Sequence, residues 1–219
     1  MHPPSVAPYS AMDKQIIITI GRQFGSGGKR VASAIGERLG IPVYDQELID
    51  NAARKSGLSP EFLKQSDEHR HLFGLGGILS TVGRFWHNPG NLMDDNELFR
   101  IQSEAIRDLA QQGSAIFVGR ASDYVLRDMK TVDVFIHAPI EVRKQRVAER
   151  LGIAPQEAED VIVKNDKNRK DYYDLFTLGD NWGVASNYDL SLDSSLLGIE
   201  GTAELIISFC EKCLSLQDK

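Results

Sequence analysis

The sequence predicts an α/β fold, a parallel sheet of about five strands between helices, and three observations carry that prediction. Short apolar runs alternate with longer segments whose apolar residues recur at helical spacing, the pattern of strands joined by crossover helices. A glycine cluster, Gly25-Ser26-Gly27-Gly28, joins the first such run to the first helical segment. The chain has 219 residues with 42% hydrophobic content, which suits one domain with an ample core.

Residues 1–13 are rich in proline and small residues without periodicity, so they are predicted to be a disordered tail, with 14–219 forming one domain. Ile16 to Ile20 is almost entirely β-branched and reads as the first strand. Val31, Ala32, Ile35 and Leu39 then mark one face of a helix. Between them, Gly25, Ser26, Gly27 and Gly28 let backbone N–H groups wrap an anion without Cβ atoms blocking its approach. The helix adds the positive end of its dipole. Lys29 follows, where a cation can reach the β- and γ-phosphates of a nucleotide.

This stretch resembles the phosphate-binding loop pattern Gly-x-x-x-x-Gly-Lys-Ser/Thr, with two departures. Counting back from Gly28-Lys29, Gln23 takes the first glycine position and Arg30 the hydroxyl position. Ser26 is then the loop hydroxyl available to Mg²⁺; otherwise water and phosphate hold the metal. A second register puts Gly28 at the lysine position and displaces Lys29 or Arg30 by one residue.

Further along, Ile41 to Tyr44 reads as a short strand ending at Asp45, and Gln46 to Lys55 as a helix. Asp45 lies past the carboxyl end of a strand, the side on which parallel sheets bind ligands, so it is a candidate for a metal, a substrate or a helix cap. Residues 57–95 carry a helix start at Ser59-Pro60-Glu61, several glycines, and apolar residues including Phe73, Phe85 and Trp86. They are predicted to form a substrate-side segment over the mouth of the sheet. A self-association surface is the other use of such a stretch, giving a homodimer.

Asp94 or Asp95 is predicted to cap a helix with Leu98, Ile101, Ala105 and Leu109 on one face, ended by Gly113. Ser114 to Val118 is a buried strand that delivers Arg120 and Asp123 to the same sheet edge as the glycine loop. A guanidinium there can clasp a phosphate bidentately. Thr131 to His137 is a strand and Glu141 to Leu151 a helix, with Arg143, Arg146 and Arg150 forming a basic stripe; a solvated face is the default for such a stripe, yet three arginines without interleaved acids suit an anionic ligand. Gln156 to Phe176 is apolar early and basic with tyrosines late. Residues 154–182 are thus predicted to be a helical lid that brings cations over transferring phosphates, with Asp166 and Arg169 on its active face. Tyr188 to Leu192 is the last strand, followed by a C-terminal helix in which Cys210 and Cys213 pack on an apolar stripe.

Composition narrows the partners. A formal net charge of −6 argues against nucleic-acid binding, since backbone recognition needs a cationic surface. No apolar run approaches the roughly 20 residues that span a bilayer, and the N-terminus lacks the order of a signal peptide, so a cytoplasmic protein without membrane partners is expected.

Taken jointly, "QFGSGG", "PVYDQELI", "VGRASD", "FIHAPIEVRKQR", "DKNRKDYY" and "NYDLSLDSS" resemble the cytidylate kinase-like family, a branch of the P-loop NTPase-type nucleoside monophosphate kinases, over Gln15 to Ile207. The resemblance implies ATP and Mg²⁺, a substrate-binding segment, a lid, and phosphoryl transfer to a pyrimidine monophosphate, CMP or dCMP. It implies that Gly25, Ser26, Gly27, Gly28, Lys29 and Arg30 bind ATP, and that Asp45, Arg120, Asp123, Asp166 and Arg169 bind substrate. Lys29, Asp166 and Arg169 are the implied catalytic residues. Ala121 stands where cytidylate kinases carry an aspartate after Gly-Arg, and Ile162 where the lid carries an arginine. Two other readings stay open: a small-molecule kinase with a non-nucleotide acceptor, and a nucleotide-binding module with weak turnover.

Overall fold

The computed structural model describes residues 15–55, 92–179 and 182–216. The predicted tail and nearly all of the 57–95 segment, with its helix start at Ser59, lie outside these residues. In chain order the elements are β1 (Ile17–Arg22), α1 (Gly28–Leu39), β2 (Val43–Tyr44), α2 (Gln46–Lys55), α3 (Leu92–Gln111), β3 (Ala115–Val118), α4 (Ser122–Val125), β4 (Val132–His137), α5 (Ile140–Leu151), α6 (Pro155–Thr177), a short 3₁₀ turn (Ala185–Asn187), β5 (Leu190–Asp193) and α7 (Ser194–Leu216).

The five strands form one parallel sheet in the order β2-β3-β1-β4-β5. β1 lies at the centre. Its residues Ile17 to Ile20 are buried because both faces of the sheet are covered, which is why the run is apolar but for Thr19, whose hydroxyl donates to Asp133 Oδ1, rather than alternating. On one face Ile18 and Ile20 pack with Val31 and Ile35 of α1 and Ala203, Ile206 and Cys210 of α7. On the other, Ile17 and Phe117 pack with Ile49 of α2, Ile106 of α3 and Leu126. The predicted parallel sheet between helices is the observed architecture.

Three boundaries differ from expectation. α3 runs through Asp94 and Asp95, so neither caps it. β5 begins at Leu190 rather than Tyr188 and extends to Asp193. Most consequentially, β1 continues two residues past Ile20: Gly21 and Arg22 pair with Phe135 and Ile136 of β4. Gly21 can do so because a Cβ there would meet the Phe135 ring at 2.8 Å. Arg22 is therefore the last residue of the central strand, at the point where the chain order switches sides and open α/β sheets bind ligands.

No helix among the described residues is long and apolar enough to cross a membrane. Cys210 is buried in the core and Cys213 is half-buried, both as free thiols, as the helical stripe predicted. Burial pushes the Cys210 thiol up to about 12, so it stays protonated near neutral pH.

Candidate active site

The glycine loop leaves β1 and enters α1 with Gly25 and Gly27 in left-handed conformations, φ +80° and +85°, which favour glycine. Gly27 is the N-cap, and Gly28 opens the helix with no acidic residue in its first turn. The loop thus presents free helix N–H groups and no competing carboxylate from its own helix, a pairing that suits an anion.

The side chains around the loop do not all take their expected places. Lys29 is 70% exposed and turns toward β2, where its ammonium lies 2.5 Å from Asp45 Oδ2. Asp45 also accepts from the Leu48 N–H at 3.2 Å, so the alternatives of helix cap and cation partner are both realised. Burial raises its carboxyl, but the Lys29 ammonium and the helix N–H groups outweigh this and hold it below its ordinary value. Arg30 is exposed. Ser26 is fully buried, and its hydroxyl donates to Gln23 O at 2.9 Å. Turned inward to close the loop, Ser26 does not offer a metal ligand, a correction to the sequence reading. Among the described residues no group of three or more His, Cys, Asp or Glu side chains is arranged to hold a metal ion.

A second correction concerns the basic stripe of α5. Its arginines are used to build the loop, not to face a ligand. Arg143 is buried and pairs with Asp166 Oδ2 at 2.5 Å; Arg146 donates to Ser26 O and Ser194 Oγ, both at 3.1 Å; Arg150 lies over the Phe24 ring at 4.9 Å. Asp166 is likewise a brace. Its Oδ1 accepts from the Phe24 N–H at 2.6 Å while Oδ2 takes Arg143, so both oxygens are engaged away from any reacting group. The lid pattern implied a catalytic and substrate-binding Asp166; here its carboxylate braces the loop.

The α6 helix is held along its length. Ala158 and Ile162 pack on Val147, Arg169 donates to Arg22 O at 3.0 Å, Tyr173 donates to Asp123 Oδ2 at 2.7 Å, and Phe176 stacks on Phe99 with centroids 4.0 Å apart. The basic end of the predicted lid is thus docked on the loop and on β3's exit. Burial, opposed by Asp166, lowers the Arg169 guanidinium to about 10, still cationic at neutral pH. Asp123, the expected reader of the base, is drawn into this contact with Tyr173, and burial pushes its carboxyl up.

At the end of β3 three residues in succession, Gly119, Arg120 and Ala121, have φ of +77°, +59° and +50°. Non-glycine residues in this region are costly by about 1 kcal/mol or more each and cluster at functional sites. The turn aims Arg120 toward Asp50 of α2, whose two oxygens lie 3.1 and 3.2 Å from Nη2. Gln102 Nε2 donates to Asp50 Oδ1 at 2.8 Å and its Oε1 accepts from the Tyr172 hydroxyl at 3.0 Å, while Arg120 itself lies over the Tyr172 ring at 5.2 Å. Arg120 Nε is buried without a partner, as is Arg143 Nε. Asp50, Gln102 and Tyr172 were not singled out in the sequence. A buried guanidinium demands a carboxylate, but nothing in the linear order says that it comes from 70 residues upstream.

Arg22 is the other residue that pattern reading missed. Its side chain crosses the loop: a Cβ on Gly28 would lie 2.7 Å from Arg22 Cβ, and a Cβ on Gly119 would fall on Arg22 Nη1. Burial and the nearby Arg169 and Arg120 charges push its guanidinium well below the usual arginine range, with Asp45 opposing. Three guanidinium groups therefore converge between the glycine loop and the β3 exit, an arrangement stable only with counter-charge at hand. Among the described residues Asp50 supplies it to Arg120, Asp45 to Arg22 and Asp166 to Arg169.

Known proteins resemble this chain over most of its length. A cytidylate kinase from Pyrococcus horikoshii is 28% identical over 195 residues, which cover 88% of this chain and 86% of that one. A crystal structure of an uncharacterized protein from Eubacterium ventriosum has a TM-score of 0.66 at 26% identity, over 90% of this chain and 99% of the other. A shikimate kinase from Bacteroides thetaiotaomicron has a TM-score of 0.51 at 13% identity, over 90% and 99%, a likeness of fold alone. Residues 17–196 match the model of one family, from β1 with its glycine loop to the start of α7: the chain belongs to the cytidylate kinase-like family.

Proposed function

We propose that this protein is an ATP-dependent nucleoside monophosphate kinase that takes CMP or dCMP to the diphosphate. The observation that carries the reading is the convergence of Arg22, Arg120 and Arg169 on the mouth of a glycine loop, with Arg120 Nε left unpartnered. Membership of the cytidylate kinase-like family and the likeness to an archaeal cytidylate kinase support the choice of acceptor.

The chemistry asks little covalent help. An acceptor phosphate is already anionic, so its oxygen can displace ADP from the γ-phosphorus without a strong general base. What the protein must supply is alignment and charge neutralisation. The loop N–H groups hold the donor phosphates, Arg169 adds charge over them, and Arg120, held by Asp50, clasps the acceptor's phosphate. Mg²⁺, when bound with the nucleotide, would supply positive charge that disperses the charge on the phosphates. Asp45 is the described carboxylate near the loop suited to meet it, directly or through water, while Lys29 holds that carboxylate in the metal's absence.

Base discrimination needs groups that bond the base edge and are left unpaired by the wrong base. Ala121 offers none. Asp123 is shared with Tyr173, so Asp50 and Gln102 beside Arg120 are the described polar groups for the task. A preference for cytidine that is real but loose follows. The test is kcat/KM for CMP, dCMP, UMP, AMP and a non-nucleotide alcohol: the cytidine nucleotides should lead, and a purine preference or turnover of the alcohol alone would refute the assignment.

A further inference from the structure

The loop pattern demands a cation at the donor phosphates, and in this chain the lysine beside the glycines is engaged elsewhere. Lys29 is largely exposed and bound to Asp45. Gly28 takes the first helical position, and nothing larger fits there, because Arg22 Cβ and Cγ occupy the space that a side chain would need, 2.7 and 3.0 Å from an added Cβ. The same guanidinium reaches Gly119, which must lack a Cβ to admit it. Two glycines on separate elements are thus cleared for one arginine. Its backbone is fixed at both ends of the residue, paired with β4 at Ile136 and accepting at its carbonyl from Arg169. The ion pairs described at the site belong to Lys29, Arg120 and Arg143, not to Arg22. A planar guanidinium held along the line from the glycine loop to the Arg120 turn presents donors on two edges, and so can touch two phosphates in a fixed geometry that an ammonium point charge does not impose.

We infer that Arg22 is the cation that bridges the donor and acceptor phosphates, in the place that a loop lysine takes in Gly-x-x-x-x-Gly-Lys. The inference rests on the nucleotide-kinase reading above. It gives Gly28 and Gly119 a reason, and it reduces Lys29 to an auxiliary that orders Asp45.

The test compares wild type, Arg22→Met, Gly28→Ala and Lys29→Ala by steady-state kinetics with ATP and CMP, and by calorimetric binding of inorganic tripolyphosphate. Arg22→Met should lower kcat by about 10²–10³, the range for one preorganised charge donor, with a smaller change in KM. Tripolyphosphate binding should weaken by about tenfold or more, as for a lost charged hydrogen bond. Gly28→Ala keeps every charge yet puts a methyl group against Arg22, so it should lose about tenfold in kcat when assayed at a temperature where it is folded, with some loss of thermal stability from the clash. Lys29→Ala should cost less than tenfold. Arg22→Met activity within threefold of wild type, or a larger loss from Lys29→Ala than from Arg22→Met, would overturn the inference. If Arg22→Met does not fold, the Gly28→Ala kinetics decide alone. Should wild type turn over no acceptor, the kinase reading fails by itself, and tripolyphosphate decides for Arg22: binding that Arg22→Met weakens upholds the anion site, whereas binding that it leaves untouched, or none, overturns it.

Discussion

At the scale of the residue, the site is governed by how each charge is satisfied. In Asp166, which Asp-x-x-Arg reads as catalytic, the carboxylate spends both oxygens on the Phe24 N–H and the Arg143 guanidinium, so we propose that it acts as a brace. Removing one partner of a largely buried pair leaves the other charge uncompensated. Asp166→Ala should therefore destabilise the protein by about 3 kcal/mol, a fall of roughly 6–12 °C in Tm for a chain of this size. Scanning calorimetry beside the rate at a temperature where both proteins are folded checks it. A full loss of kcat with unchanged Tm would restore Asp166 to a catalytic role. Arg22 was invisible for a different reason. The β-branched run ends at Ile20, and only the sheet pairing of Gly21 and Arg22 reveals that the strand carries an arginine into the site.

At the scale of the element, the described strands and the long helices were legible from periodicity, because strands buried on both faces read as apolar runs and helices repeat every three to four residues, whereas the one-turn α4 and the 3₁₀ turn are too short to show a period. What periodicity could not give was which face of a charged helix is buried. The α5 arginines looked like a solvent or ligand face, yet the loop carbonyls of Phe24 and Ser26 need donors, and Arg143 and Arg146 provide them. The early half of α6 has a matching explanation. Ile162 stands where the family pattern carries an arginine, and it is 1% exposed against Val147 and Ala158. Ile162→Arg would bury a charge without a partner, so on the order of 4 kcal/mol of stability should be lost and no activity gained. Chemical denaturation measures the first and the CMP assay the second. A variant as stable as wild type and faster would mean that α6 swings away from α5 during turnover.

At the scale of the whole molecule, the strand order puts β1 between β3 and β4, and that one fact gathers the site. The glycine loop, Arg22 and the Arg120 turn all leave the sheet at the carboxyl ends of adjacent strands β1 and β3. α6 then spans the loop and the β3 exit, linking Arg22 to Asp123 through Arg169 and Tyr173. A sheet of this order serves many chemistries, so function rests on the cations rather than on the fold. The central claim is that these cations join a donor and an acceptor phosphate. Phosphorus NMR of the purified protein with ATP, Mg²⁺ and CMP tests it most directly. The account predicts that ADP and CDP resonances grow in equal amounts while ATP and CMP fall together. Release of inorganic phosphate without CDP, or spectra unchanged by the protein, would contradict it.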